Sequence, residues 1–198
     1  MRLVWGEVTS IRSYPEEQRR SYELSVKVGR DEDYKAFCYE RLSGEVKVGM
    51  RVLINTTALE LGLGTGGYAF VVAISEGDTP KYESISQGHI MKMRYSPLQV
   101  DVLSVEEEAS PKHQIMKEAT SLEGMPVVCC GLHSQVALVA AAAKSLRSDI
   151  RIAYVMTDQA ALAAEFSNVL ADLKREKLID LSISVGQAFG ADHEAVSL

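Results

Sequence analysis

The sequence predicts an α+β chain in two parts. A small N-terminal β-barrel or sandwich spans residues 1–105, and a three-stranded parallel βαβαβ portion, Rossmann-like in character, spans residues 125–198. Three observations carry this. The first half holds several short strand-like runs, one of them alternating with a period of two, cut by frequent turn signals and without a convincing helix. After Met125, strand-length apolar runs alternate with helix-length stretches, the pattern of a parallel sheet with crossover helices. Between them, "EEEASPKHQIMKEATSLEG" is charged, contains Pro111 and ends in Gly124, which marks a linker over residues 106–124 with a short helix around 114–119.

The elements follow in order. "SYELSVKV" puts Tyr22, Leu24, Val26 and Val28 on one face and Ser21, Glu23, Ser25 and Lys27 on the other, and the polar "YPEEQRRS" before it reads as a hairpin loop. "EVKVGMRVLINTT" carries β-branched residues around a turn at Gly49, and "YAFVVAIS" is a short buried strand. "GHIMKMRYSPLQVDVLSV" is extended up to Pro97, with His89, Met91, Met93 and Tyr95 on one face and Lys92 and Arg94 on the other. In the second half, "MPVVCCGL", "RIAYVM" and "DLSISVG" are the three strands. "SQVALVAAAAKSL" is a helix with Val136, Val139, Ala143 and Leu146 along one side. "QAALAAEFSNVLADLKREK" is a second helix with Leu162, Phe166, Val169, Leu170 and Leu173 inward. The end, "ADHEAVSL", resembles the opening turn of a further helix.

Right-handed crossovers place both helices on one face of such a sheet. Yet "VVCC" and "IAYVM" are apolar at odd and even positions alike, as in strands covered on both faces. The second face therefore needs cover from the barrel, from a second copy of the chain, or from a missing C-terminal segment. A homo-oligomer or a truncated chain is expected.

Composition narrows the function. The chain has 198 residues, 46 % hydrophobic and 24 % charged, with a net charge of −6 and a mean hydropathy of −0.02, as in an ordinary globular protein. The acidic balance and an aromatic content of 7 % argue against nucleic acid as partner. No apolar run approaches the roughly 18 residues of a membrane span, and the start lacks the pattern of a secretory signal. Three cysteines, Cys38, Cys129 and Cys130, make no disulfide framework and fit a reduced, cytoplasmic setting.

Two motifs raise chemistry. "GLGTGG" (Gly62, Gly64, Gly67) satisfies G-x-G-x-x-G, but a strand and not a helix follows it, so it reads as a glycine-rich loop suited to a ligand or partner contact rather than a dinucleotide site. The carboxyl edge of the parallel strands is the stronger candidate, since ligands of open α/β sheets bind there. It gathers Cys130, Gly131, His133 and Ser134 after the first strand, Thr157 and Asp158 after the second, and Gln187, Gly190, Asp192 and His193 after the third. The functional reading is a cleft for a small anionic or polar ligand at helix N-termini. Gly131, His133, Ser134, Thr157, Asp158, Gly190 and Asp192 line it, His133 or His193 is the candidate general base, and Asp158 orients that base. The plain reading is that Ser134, Thr157 and Asp158 are helix caps and Asp192 serves a helix dipole. Cysteine catalysis is disfavoured because adjacent strand residues point to opposite faces. A metal held by His133, Asp158 and His193 has suitable ligand types without supporting local spacing, and no cofactor is identifiable. The alternative function is a non-enzymatic interaction or assembly protein that binds a partner chain through an uncovered sheet face and the glycine-rich loop.

The stretches "TALELGLGTGGYAFVVA", "GHIMKMRYSPLQVDVLSVEEEASP", "AYVMTDQAAL" and "SVGQAFGADHEAV" resemble, together, an uncharacterised bacterial family, domain of unknown function 3866. The resemblance runs along nearly all of the chain. It implies no activity, and it implies longer chains, in keeping with a missing C-terminal part. Where the family pattern has His and Gly, this chain has Gln187 and Ala191, which weakens histidine chemistry at the third strand end.

Overall fold

The computed structural model describes residues 1–13, 21–62, 66–75, 88–94, 99–157 and 163–196. Packing divides the chain into two units, Met1–Glu83 with Ser96–Val100, and Ser84–Tyr95 with Asp101–Leu198.

The first unit is a barrel. Five strands, β1 (Leu3–Ser13), β2 (Ser21–Val28), β3 (Glu32–Tyr39), β4 (Arg51–Asn55) and β5 (Ala69–Ile74), close in the order β1-β2-β3-β5-β4. β3 and β5 pair in parallel, and β4 closes the ring antiparallel to β1. That is the connectivity of a five-stranded Greek-key barrel of the oligonucleotide/oligosaccharide-binding type, an architecture that hosts many functions and specifies none. The period-two pattern is the cause. Leu24 and Val26 of β2, Ala36 and Cys38 of β3, Val52 and Ile54 of β4, and Ala69 and Val71 of β5 point inward into one core with Val8 and Val46. Burial raises the Cys38 thiol to about 12, so it is an inert core group. Among the described residues, only single helical turns interrupt the strands, at α1 (Glu40–Ser43) and α2 (Thr57–Glu60). The glycine-rich loop leads into β5, as expected, and Gly64 within it lies outside the described residues.

The second unit contains the three-stranded, all-parallel sheet, in the order β10 (His193–Ala195), β9 (Leu181–Val185), β8 (Ala153–Met156). With it go β6 (Ile90–Lys92) paired to β7 (Val100–Val102), α3 (His113–Glu118), α4 (Gln135–Leu146), a 3-10 turn (Ala164–Phe166) and α5 (Asn168–Arg175). The mixed α+β class holds, with a closed barrel followed by a parallel sheet and helices. The segments that supply the sheet differ from expectation in four ways.

First, residues 127–130 are not a strand. They are exposed and, among the described residues, no backbone hydrogen bond ties them to another segment. Cys129 and Cys130 are accordingly exposed as well. Strand propensity reports a side-chain preference, whereas a strand exists only where a neighbouring backbone pairs with it.

Second, the third parallel strand is the stretch expected to open a helix: His193–Ala195 pairs with Ile183–Val185 in register. Third, the expected long helix after β8 is broken, with Ala163 and Ser167 extended on either side of the 3-10 turn and α5 starting only at Asn168. Phe166 and Val169 are half-buried and Leu170 and Leu173 buried, as the pattern required, and Leu162 lies outside the described residues. In α4, Val136 and Ala140 form the buried stripe, and Leu146 is exposed rather than inward.

Fourth, the second face of the sheet finds cover within its own unit. Helices α4 and α5 pack on Met156, Ala164 and Ala188 on one side. On the other, Val155, Ile183, Val185 and Ala195 meet Val105. Ser104 bridges in parallel to Glu194 and the Val105 N–H donates to the Glu194 carbonyl at 2.8 Å, so the β10 edge is partly paired. Lys92 reaches the same region from β6. Its side chain is fully buried, and its ammonium donates to the carbonyls of Ala195 at 3.1 Å and Ser184 at 3.4 Å while sitting 3.3 Å from the Glu194 carboxylate. The face of β6 is thus inverted with respect to hydrophobicity, since Lys92 is inside and Met91 is exposed.

Candidate functional site

His133 occupies the turn that leads into α4, and the structure sets it between two hydroxyls. Its Nδ1 lies 2.8 Å from the Tyr154 phenol on β8, and its Nε2 lies 2.6 Å from Ser167 Oγ. Ser167 also caps α5, accepting the Leu170 N–H at 2.9 Å, an interaction worth about 1 kcal/mol in a helix start. Burial lowers the His133 pKa, so the ring is neutral near pH 7. Burial first, and the negative charge that Cys130 carries when ionised next, raise the Tyr154 pKa and keep the phenol protonated. A neutral imidazole accepts at one nitrogen and donates at the other, so the three groups satisfy one another as a closed relay joining the α4 turn, β8 and α5.

The sign of the pH effect follows. The unfolded His133 takes up a proton around 6.5, while the folded one resists it. Its contribution to stability is therefore complete above that value and is lost as pH falls through it. Urea unfolding at pH 7.5 and 5.5 should show a loss on acidification, a fraction of the ~1.4 kcal/mol per pH unit that one full proton gives. His133→Gln should reduce that loss, and an unchanged pH dependence in the variant would refute the assignment.

The other expected site residues lie elsewhere in the unit. Ser134 stands at the α4 N-cap with helical backbone angles and no side-chain cap bond; the local closure comes from the Leu132 N–H donating to Gln135 Oε1 at 3.1 Å. Gly131 and Thr157 are exposed, and Asp158 lies outside the described residues. Asp192 accepts from Lys174 Nζ at 2.6 Å and from the N–H and hydroxyl of Ser182 at 2.8 and 2.9 Å. Burial works against its charge, yet these donors hold its carboxyl below the ordinary value. Gly190 donates its N–H to Glu194 Oε1 at 2.8 Å. His193 lies in β10, half-buried.

Among the described residues, no hydrogen bond or ion pair joins His133 to Gly190, Asp192 or His193. Two local constellations emerge instead: the His133 relay, and the connection from β9 to β10 braced by Ser182, Ser184 and Glu194. Among the described residues no cluster of three or more His, Cys, Asp or Glu is placed to hold a metal, and no helix is long and apolar enough to cross a membrane.

Sequence reasoning missed three of these groups. Tyr154 sat in an apolar run, and Ser167 was hidden inside a stretch read as continuous helix, where "FSN" carried an N-cap signal. Lys92 gave no local sign of burial. The barrel adds a shallow groove of about 280 Å³ lined by Trp5, Gly6, Glu7, Thr9, Lys27, Gly29 and Arg51, with the Arg51 guanidinium 5.6 Å from the Trp5 ring centre. An exposed cation–π pair of this kind is worth about 0.5–1 kcal/mol and accounts for the juxtaposition without a ligand. Phe37 and Tyr39, aromatic residues of β3, are buried.

One family pattern matches residues 35–198, and its description is protein of unknown function (DUF3866). No curated protein and no solved structure matches the chain.

Proposed function

The chain belongs to the DUF3866 family, and from that premise, which carries no activity with it, we propose that it is an interaction protein whose second unit binds a partner chain. One observation carries this reading. Over a single stretch of the second unit, Leu122, Met125, Val127, Val128, Leu132 and Leu138 are each between 61 and 74 % exposed. Scattered surface leucines need no explanation, but six large apolar side chains within seventeen positions, with Ile115 and Leu146 exposed beyond them, are a concentration of exposed apolar groups that supports a contact site. Burying one such side chain contributes about 1.5–3 kcal/mol. The α4 face that carries Leu138 lies opposite the stripe that packs on the sheet, so this surface is available without unfolding the unit.

Binding or turnover of a small anionic ligand at the strand ends is the second reading. It rests on His133, whose two ring nitrogens are already engaged within the protein, and so it has the weaker support.

A photo-crosslinking residue at Leu138 tests the proposal in cells. It should give a discrete adduct that weakens at least several-fold when Leu132→Asp is added. The same probe at Val48, exposed on the barrel, should give none. No more adduct at Leu138 than at Val48 would overturn the reading.

A further inference from the structure

We infer that the partner is a second copy of this chain, which exchanges residues 127–130 onto the open edge of β8. This rests on the interaction reading and names its occupant. Two features of the second unit complement each other. The sheet order is β10-β9-β8, so among the described residues β8 pairs on one side only. The β10 side is already occupied by Ser104 and Val105. The edge at Ala153–Met156 carries no lysine, proline or charge, the devices that blunt exposed edges. Against it stands an unpaired segment of the same length. Residues 127–130, Val-Val-Cys-Cys, are uncharged, rich in β-branched side chains and without a backbone partner among the described residues. Their apolar residues at both odd and even positions suit a strand covered on both faces, whereas Val127 and Val128 are 66 and 65 % exposed.

The segment leads through Gly131, whose side-chain position is open, into α4, and α4 leads to β8. Among the described residues, each chain therefore holds one unpaired segment of strand-like composition and one open strand edge on either side of a single helix. Two copies can exchange strands reciprocally, which satisfies both sets of backbone groups and closes the assembly at two chains, the low-cost route of domain swapping. A parallel strand added at β8 would also bring the exposed side chains of α4 and residues 122–128 against the partner copy.

The thiols report on this directly. Cys38 is buried with its thiol held protonated, so a thiol reagent applied to the native full-length chain reads Cys129 and Cys130. Light scattering with size-exclusion chromatography across a hundredfold dilution should find a dimer, with Cys129 and Cys130 reacting at least tenfold more slowly than after dissociation. Val128→Pro removes a backbone N–H that a strand needs at a site without a backbone partner in the single chain. It should leave the circular dichroism spectrum unchanged, give a monomer, expose both thiols and lower hydrogen-exchange protection of the β8 amides. Val127→Lys combined with Val128→Lys, which keeps the backbone donors, should also weaken the dimer.

Three results would overturn the inference. They are a monomer with both thiols fast, a monomer with both thiols protected (the segment then lies on its own edge), and a dimer that Val128→Pro leaves intact. If any of these holds while Leu138 still crosslinks to a different protein, the interaction reading survives. If Leu138 yields no adduct either, both fail.

Discussion

Lys92→Met is expected to destabilise the second unit by about 3–5 kcal/mol, because it leaves the Glu194 carboxylate buried without its cation. Lys92 is fully buried, and its ammonium has three neighbours: two strand carbonyls and Glu194. Glu194 in turn accepts from Ser184 Oγ at 2.7 Å and from the Gly190 N–H. Burial nevertheless dominates and raises the Glu194 pKa, outweighing Ser184, Gly190 and Lys92. A carboxyl whose folded pKa is raised contributes stability that is present below its unfolded value, ordinarily near 4.3, and is lost as pH rises through the folded value.

Two measurements check this. The cost of Lys92→Met, read by denaturant unfolding, should grow from acidic towards neutral pH. Lys92→Met with Glu194→Gln should recover most of the loss, since removing both charges of a buried pair is far cheaper than removing one. A small, pH-independent cost would show that water reaches the carboxylate and that the pair does not hold the sheet to β6.

Gly190→Ala is expected to cost about 2–5 kcal/mol, from two sources that act together. The residue has φ +90°, where a side chain costs roughly 1–2 kcal/mol. An added Cβ would also lie 2.6 Å from Glu165 Cβ and 2.9 Å from the Glu165 nitrogen, and relieving such an overlap costs about 1–3 kcal/mol. The neighbouring polypeptide has little room to yield, because Ala164 N–H donates to the Phe189 carbonyl at 2.9 Å across the same contact. Moving residue 190 also lengthens the bond that its N–H makes to Glu194. Gly131→Ala is the control. Its Cβ would meet nothing within 4 Å, so its effect should stay within about 0.5 kcal/mol. Equal urea midpoints for the two variants would rule out the close approach at Gly190.

Both expected losses fall on the connection between β9 and β10, a region read from the sequence as the far side of a ligand cleft. The residues named there for chemistry also make cohesive contacts: Asp192 ties α5 to β9 through Lys174 and Ser182, and Gly190 lets the chain turn against Glu165. His133 was legible because histidine after an apolar run stands out in any reading. Its partners were not, since Tyr154 and Ser167 lie 21 and 34 positions away and nothing local couples them to it. The same limit applies to Lys92, whose nearest charged neighbour is Glu194, more than a hundred positions on.

What the sequence determined by itself was set by local periodicity. Alternation put Leu24 and Val26 on one face of a strand, and both lie in the barrel core. The apolar runs at 153–156 and 181–185 marked parallel strands, and the stripe of α4 marked a helix. These readings hold because a side chain's preference for one face depends on its immediate neighbours along the chain. Only the tertiary structure decided which strands found a partner. Residues 127–130 have the better strand composition and, among the described residues, remain unpaired, while His193–Ala195, with a histidine and a glutamate, joins the sheet. The reason is physical: a strand is stabilised by backbone hydrogen bonds to a second segment, and a buried charge by a counter-charge, and both partners arrive from distant parts of the chain.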